Sequence, residues 1–233
     1  MKYGYTVNGF ENVVIEPSNL NVLEIDNSKL WDAVTYDLYY KDKYEDDDVE
    51  ENSIHLYKGE EYIKFSDDLL LVPEIMMFDF DNRVLHGQIS KEVVKILTDE
   101  NRQFADKING ELNELVSEII NKFDISLKFQ ESIAVEDLLK IKKIQIDSSL
   151  NGSYFENFLQ ILEVVAEFMS QRLVIVYNLL PHLDKDELKE LSEFVKVKES
   201  NILLIERDIS TDRQDLSNLV YRKIDNDLVM FSL

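Results

Sequence analysis

A lysine-rich segment is the part of the sequence whose residue types most directly indicate a chemistry. Residues 138–145 contain Lys140, Lys142 and Lys143 and no carboxylate, and lysine side chains neutralise nucleic-acid phosphates. On a helix, Lys140 and Lys143 share a face, and Glu136 lies one turn before Lys140, where the two side chains can pair. The same pattern is typical of the solvated face of an amphipathic helix, so the residues alone leave both interpretations open.

The charge of the whole chain has the opposite sign. The 47 Asp and Glu residues outnumber the 25 Lys and Arg residues and give a formal net charge of −22 at pH 7. A protein that coats nucleic acid with its entire surface is therefore excluded, whereas a local basic groove is not. The most concentrated acidic run, EDDDVEE at residues 45–51, is interpreted as a solvated loop in preference to a cation site.

Several kinds of site are excluded by residues that the chain lacks or scatters. There is no cysteine, which excludes disulfides and thiolate chemistry. His55, His86 and His182 are isolated along the sequence and are interpreted as surface or boundary histidines, and no Gly-x-Ser-x-Gly motif is present. No signal peptide and no apolar stretch of about 18 residues is visible, so we expect a cytoplasmic protein with no membrane association.

The sequence also lacks a recognisable phosphate-binding loop. Such a loop needs glycines whose amides converge, with a lysine and a hydroxyl at the start of the next helix. The turn after a predicted strand at residues 21–26 contains no glycine and presents Asp26, which repels phosphate. A second predicted strand ends in Tyr177 and Asn178, where an ATPase has acidic residues that hold magnesium. We therefore expect no bound nucleotide and no catalysis.

Two apolar runs indicate the fold that positions these residues. Residues 172–178 and 201–206 have no polar alternation, which is typical of strands buried on both faces of a parallel sheet. A helical stripe at residues 154–169 precedes the first run, and Asp184 with Glu187 predicts a capped helix between the two. This alternation predicts an α/β layer fold. Further elements are predicted as strands at 21–26, 69–72, 219–222 and 228–231, a helix at 29–40 capped by Asn27, and hairpins at Asn8-Gly9 and Lys58-Gly59.

A long helical pattern interrupts this alternation. Between Ile89 and Phe123, apolar residues recur at helical spacing and form a seam for packing against other helices. Residues 134–144 are interpreted as the return of this helical arm. The predicted domains are an α/β head from residues 1–88 and 146–233, and an inserted, elongated helical leg from residues 89–145.

The order of these blocks resembles one protein family. The blocks are NLNVLEIDNSKL near the amino end, LLLVPEIMMFDFDN before the arm, and FENFLQILEVVAEFMSQRLVIVYNLL followed by NILLIERD. Together they resemble the accessory spacer-acquisition protein of type II-A CRISPR systems, the Csn-two family. The resemblance spans nearly the whole chain, rests on the order and spacing of apolar blocks, and is strongest over residues 154–207.

The resemblance implies a fold, an assembly and partners. The head would look like a P-loop ATPase stripped of its nucleotide site, and four copies would form a homotetrameric ring. The ring would take double-stranded DNA ends through a lysine-lined hole, beside the CRISPR integrase and the RNA-guided nuclease. Calcium held by carboxylates near the head–leg junction would stabilise it; Glu131 and Asp137 fall at matching acidic positions, with Glu136 adjacent. Residues 124–131 are poorer in acids than the family pattern, so calcium dependence is left open.

Under this resemblance we expect a non-enzymatic, ring-forming protein that binds double-stranded DNA ends during CRISPR spacer acquisition in antiviral defence. A ring reconciles the −22 charge with DNA because it can be acidic outside while only its hole is lined with lysine. The alternatives are a protein-interaction adaptor that docks basic CRISPR partners without DNA, and a divergent nucleotide hydrolase. The expected DNA-contacting residues are Lys140, Lys142, Lys143, Lys122 and Lys128.

Overall fold

Ten strands and seven α-helices lie in the part of the chain that the structure covers. The structure is a computed structural model that describes residues 2–7, 9–44, 53–142, 144–147, 151–207 and 218–232. The strands are β1 (Tyr3–Val7), β2 (Val13–Val14), β3 (Leu20–Ile25), β4 (Ile54–Lys58), β5 (Glu61–Tyr62), β6 (Leu69–Val72), β7 (Leu173–Tyr177), β8 (Asn201–Glu206), β9 (Leu219–Ile224) and β10 (Met230–Ser232). The helices are α1 (Ser28–Tyr44), α2 (Phe65–Asp68), α3 (Arg83–Lys95), α4 (Asp99–Ile120), α5 (Val135–Ile141), α6 (Tyr154–Phe168) and α7 (Lys185–Lys198).

Six of the strands form a mainly parallel sheet in the order β10-β9-β3-β8-β7-β6. Strand β10 pairs antiparallel with β9, and the other five strands are parallel to one another. Numbered along the chain, the five parallel strands stand in the order 5-1-4-3-2, which is the order of P-loop ATPase sheets. The predicted α/β fold with an ATPase-like sheet is confirmed, as are the strands predicted for it.

The strands of this sheet are apolar throughout, as expected for parallel strands covered on both faces. Every residue of β3 is buried, and so are all but one residue of β7 and of β8. Helix α7 begins at the predicted capping box: the Asp184 carboxylate accepts the Glu187 amide at 2.9 Å, and the Glu187 carboxylate accepts the Asp184 amide at 2.9 Å. This cap fixes where the helix between β7 and β8 starts.

A four-stranded antiparallel sheet accompanies the larger one, in the order β2-β1-β4-β5. The two predicted hairpins are confirmed, because β1 pairs with β2 and β4 pairs with β5. Gly9 and Gly59 turn with φ angles of 82° and 71°, a left-handed conformation that glycine adopts without strain. Tyr3 and Tyr5 are buried in the same core as Leu23 of β3. The small sheet therefore shares its core with the parallel sheet.

The chain divides into two compact units. The sheet unit comprises residues 1–78 and 149–233, and the helical unit comprises residues 79–148. The helical unit contains residues 89–145, the segment predicted as the leg. Among the described residues, no helix combines the length and the apolar character needed to cross a membrane.

The helical pattern predicted from Ile89 to Phe123 consists of two helices. Helix α3 begins earlier, at Arg83, where the Asn82 side chain accepts the Leu85 amide at 2.9 Å. Helix α4 begins after Thr98, which forms a capping box with the residue three positions on. The predicted domain boundary at residue 88 therefore falls inside α3. The two N-caps explain the break, since each starts a new helix.

Side-chain amides of α4 hold the segment that returns to α5. The Asn109 amide donates to the Ile133 carbonyl at 2.9 Å and accepts the Ile133 amide at 3.1 Å. The Asn113 amide donates to the Glu131 carbonyl at 2.7 Å. Because these bonds satisfy backbone groups of an extended segment, they fix where α5 begins.

Candidate functional site: a basic groove in the helical unit

The predicted DNA-contacting lysines lie in the helical unit. Lys122, Lys128 and Lys142 are exposed. Lys140 lies in α5, but its side chain is outside the described part of the chain, as is the whole of Lys143. The described residues therefore include no contact that joins the five lysines into one surface, and their role stays a prediction.

Helices α3 and α5 border a groove of about 1190 Å³ in this unit. Arg83, Gly87, Lys91 and Lys95 line it from α3, and their spacing of four residues places them along one face of that helix. A Cβ atom at Gly87 would meet no atom within 4 Å, so this position leaves the groove open. The apolar part of the lining consists of Val94, Leu139 and Ile144.

The carboxylates of the groove already have partners. Asp81 lies 2.5 Å from the His86 ring and accepts the Gln145 amide at 2.8 Å. Glu136 lies 3.5 Å from Arg102. Arg102 therefore partly offsets the negative charge of Glu136, whereas Asp81 is held in place by hydrogen bonds.

The cations that line the groove are less fully paired than its carboxylates. Lys95 pairs with Glu92 at 2.5 Å. Arg83 and Lys91 are exposed, and neither forms an ion pair with any residue in the described ranges. In a chain with a formal net charge of −22, this groove is thus a place where positive charge is left available to an anion.

The residues predicted to hold calcium do not converge on one another among the described residues. Glu136 faces Arg102, and Glu131 contributes its backbone carbonyl to Asn113. No three His, Asp or Glu side chains in the described ranges are close enough to hold a metal ion together. Calcium prefers about 6–8 oxygen ligands, so the donors described do not by themselves make such a site. The acidic run at residues 45–51 lies outside the described residues.

The carboxyl edge of the parallel sheet, where an ATPase holds nucleotide, is occupied by the chain's own charges. The Lys223 ammonium lies 3.0 Å from Glu24 and 2.9 Å from Asp26, and Glu24 is fully buried. Partial burial of Lys223 opposes its charge, but hydrogen bonds to Asp26 and Glu24 outweigh burial and raise its pKa. The turn after β3 instead caps α1, since the Asn27 side chain accepts the Leu30 amide at 3.0 Å.

The end of β7 is held by a second buried carboxylate. Glu206 accepts the amides of Leu179 and Leu180 at 2.9 and 3.1 Å. Asn178, the residue before them, has a φ of 47°, a left-handed conformation that Asn tolerates better than most residues. Tyr177 is mostly buried, and burial raises the pKa of its hydroxyl. This edge presents carboxylates and apolar groups, which suit internal packing and repel phosphate.

The three histidines contact rings or carboxylates. His86 meets Asp81, His55 lies 5.7 Å from the Tyr62 ring, and His182 lies 4.5 Å from the Tyr154 ring. His55 and His86 are partly exposed and His182 is exposed, which agrees with the interpretation of the histidines as surface or boundary residues.

Sequence analysis missed Arg83 and Lys91. The four-residue spacing from Arg83 to Lys95 was visible in the sequence, but a chain with 31% charged residues offers many such rows. What distinguishes Arg83 and Lys91 in this row is that neither has a carboxylate partner among the described residues, and that depends on which side chains α5 brings near.

The fold and the site together define a class of protein. It has an ATPase-like parallel sheet, and the edge of this sheet that binds nucleotide in ATPases is filled by its own side chains. Along the sequence, the helical unit is inserted between β6 and β7, which are neighbouring strands of that sheet. The family model described as CRISPR-associated protein (Cas_Csn2) matches residues 45–228, and the chain belongs to this family. The resemblance stated from the sequence is confirmed, and with it a role in CRISPR adaptation.

Relatives in two bacteria and one solved structure agree with this assignment. The chain is 21% identical to the CRISPR-associated protein Csn2 of Streptococcus agalactiae, over 81% of this chain and 82% of that protein. It is 22% identical to the CRISPR-associated protein Csn2 of Enterococcus faecalis, over 69% of this chain and 77% of that protein. The crystal structure of Stu0660 of Streptococcus thermophilus is similar in fold, with a TM-score of 0.58 and 13% identity, covering 100% of this chain and 76% of that one.

Proposed function

We propose that this protein binds the ends of double-stranded DNA as a ring-forming homotetramer during CRISPR spacer acquisition, and that it catalyses no reaction itself. The observation that supports DNA binding best is the positive charge of the helical unit, where Lys122, Lys128 and Lys142 are exposed and where Arg83 and Lys91 lack carboxylate partners among the described residues. Phosphates are the natural partners of such cations. Because phosphates repeat along any duplex, binding would be independent of base sequence.

A ring resolves the conflict between an acidic chain and an acidic ligand. Four copies would multiply a small basic surface around one axis, while the −22 charge of each chain would face outward and discourage non-specific coating of DNA. Apolar surface on α4 supports self-assembly: Leu115 is 53% and Ile119 is 48% exposed within one chain. Exposed apolar surface of this kind is typical of protein–protein contacts.

The proposal also includes the ring's protein partners, its location and a metal ion. The integrase and the RNA-guided nuclease of the CRISPR system are its proposed protein partners, and the cytoplasm is its proposed place of action. Calcium would stabilise the ring through the carboxylates of Glu131, Glu136 and Asp137, with ligands completed by groups outside the described residues or by another copy.

The test compares linear with covalently closed circular duplex of the same sequence by fluorescence anisotropy, with light scattering to count subunits. A threaded ring binds the linear duplex and binds the circle poorly. Replacing Lys140, Lys142 and Lys143 by Glu should weaken binding of the linear duplex at least about tenfold, because three phosphate contacts are reversed in sign.

The matched control replaces three exposed lysines of α7, Lys189, Lys196 and Lys198, by Glu. This variant has the same net charge as the test variant. A difference in affinity between the two therefore reports the position of the lysines and not the total charge. Equal affinity for circle and linear duplex would overturn threading. Equal loss in the two triple variants would overturn the assignment of the lysine surface.

One alternative is favoured by a specific observation, namely the −22 charge, which suits docking to basic proteins. An adaptor of this kind would form a partner complex that survives nuclease treatment and would show no DNA affinity of its own. The same anisotropy measurement therefore decides between the two functions.

A further inference from the structure

We propose that the groove between α3 and α5 binds one unpaired nucleotide at the end of a DNA strand, with its phosphate on Arg83 and Lys91. This inference rests on the proposed binding of DNA ends and names the part of the end that the groove takes. It also separates two kinds of contact: the duplex on exposed lysines, and the unpaired terminal nucleotide inside the groove.

The charges of the groove indicate an anionic ligand. Arg83 and Lys91 lie eight residues apart on one face of α3, and neither has a carboxylate partner in the described ranges. The acidic residues of the lining are held by other groups, Asp81 by His86 and Gln145, and Glu136 by Arg102. An incoming phosphate would therefore meet two available cations, a Glu136 carboxylate paired with Arg102, and an Asp81 carboxylate held in place by His86 and Gln145.

The shape of the groove indicates a small ligand. Its volume of about 1190 Å³ lies somewhat above the upper end of the range of roughly 300–1,000 Å³ found for small-molecule sites. A duplex carries its phosphates on the outside of a wide rod, so it reaches side chains that project from a surface, such as Lys142. A concave space between two helices admits a single nucleotide instead.

The remaining lining suits the organic part of a nucleotide. Val94, Leu139 and Ile144 provide an apolar wall, on which a sugar and a base face can pack. Ser90 adds a hydroxyl as a hydrogen-bond donor and acceptor. Gly87 leaves space in the row of cations, because nothing lies within 4 Å of where its Cβ would be. Among the described residues that line the groove, His86 carries an aromatic ring, and Asp81 contacts it. Packing of a base face on the apolar wall does not read base edges, so we expect little preference among the bases.

The experiment measures binding of two duplexes by fluorescence anisotropy, one blunt and one with a three-nucleotide single-stranded overhang. For the unmodified protein we expect the overhang duplex to bind about tenfold more tightly, because only its unpaired end enters the groove. The double variant Arg83→Gln, Lys91→Gln should lose this advantage. The variant Gly87→Leu should lose it as well, since it keeps both cations and fills the space. Because leucine is a better helix former than glycine, Gly87→Leu should not unfold α3.

The control is Lys107→Gln, an exposed cation of α4 outside the groove, which should keep the advantage. Competition with dAMP and with inorganic phosphate identifies the chemistry. Displacement of the overhang by dAMP at concentrations where phosphate has no effect supports a nucleotide site. Equal competition by phosphate would overturn it, because the apolar wall would then contribute nothing. If dAMP binds with the same affinity as the overhang duplex, the groove is a site for free nucleotide, and the assignment to a DNA end is overturned.

The outcomes separate this inference from the proposed function. If blunt and overhang duplexes bind equally well, the inference fails while DNA-end binding stands. If neither duplex binds, DNA-end binding fails, whatever dAMP does.

Discussion

The partly buried ion pairs of the sheet unit and the groove of the helical unit differ in how their cations are compensated. In the sheet unit, Lys223 lies between Glu24 and Asp26, and Lys58 lies 2.6 Å from Asp68. In the helical unit, Arg83 and Lys91 line a groove without carboxylate partners among the described residues. Charges that are paired internally hold a fold together, whereas charges that are left available can bind a ligand. The sheet edge that holds phosphate in ATPases is therefore structural in this chain, and the candidate binding surface lies in the helical unit.

The largest expected effect comes from removing the cation at the sheet edge. Lys223→Met should lower the free energy of unfolding by about 2–3 kcal/mol, because it removes the Lys223 ammonium from the buried Glu24 carboxylate. The effect is smaller than for a fully buried pair because the Lys223 side chain retains 30% exposure. Urea denaturation followed by circular dichroism measures the change. Lys29→Met, on the exposed side of α1, is the control and should change stability by less than about 0.5 kcal/mol. Equal stability of the two variants would remove the contrast between the units.

The second largest effect is expected at Asp68, whose contribution to stability depends on pH. Burial raises the pKa of Asp68, but hydrogen bonds from Lys58 and from the Lys64 amide outweigh burial and lower it below its ordinary value of 3.8. A carboxyl with a lowered pKa stabilises the fold above pH 3.8, and that contribution is lost as the pH falls through its folded pKa.

Asp68→Asn should therefore cost about 1–2 kcal/mol at pH 7, and the difference from the unmodified protein should shrink as the pH falls below 3.8. Urea denaturation at a series of pH values gives this curve. Asp67→Asn is the neighbouring control, because Asp67 is exposed. A constant difference across the whole range would show that Asp68 acts by packing and not by charge.

The smallest effect is expected in the groove. Arg83→Gln and Lys91→Gln should each change the free energy of unfolding by less than about 0.5 kcal/mol, since neither cation has an ionic partner to lose among the residues that the structure describes. The measurement is the same urea titration. A loss above about 1 kcal/mol in either variant would mean that the cation stabilises the helical unit, and the groove would then be structural like the sheet edge.

Much of the fold follows from the sequence because its determinants are local. The unbroken apolar runs at residues 172–178 and 201–206 are typical of buried strands, and both form strands of the parallel sheet. Asp184 with Glu187, and Asn27 before α1, cap helices through bonds within three residues. The start of α3 at Arg83 was harder to predict from the sequence. Its N-cap, Asn82, follows a segment in which apolar and polar residues show no clear periodicity.

The candidate site follows from the sequence only in part. The lysines of residues 138–145 are visible because they stand out against an acidic chain. The availability of Arg83 and Lys91 is not visible, since it depends on Glu136 turning to Arg102 and on Asp81 meeting His86. The contact of Glu136 with Arg102 joins two helices, α5 and α4, and no local pattern encodes which of many acids a given cation meets.

The pairing of β6 with β7 has a consequence for the order in which the protein takes shape during synthesis. Leu69 pairs with Leu173, about a hundred residues later, and β3 pairs with β8 and β9, which come later still. Domains form as they emerge from the ribosome, and structures with local contacts form fastest. Helices α3, α4 and α5 are complete once residue 141 has been made, before any partner strand of β3 or β6 in the parallel sheet exists. The nascent chain therefore completes the part proposed to hold DNA before the scaffold that carries it.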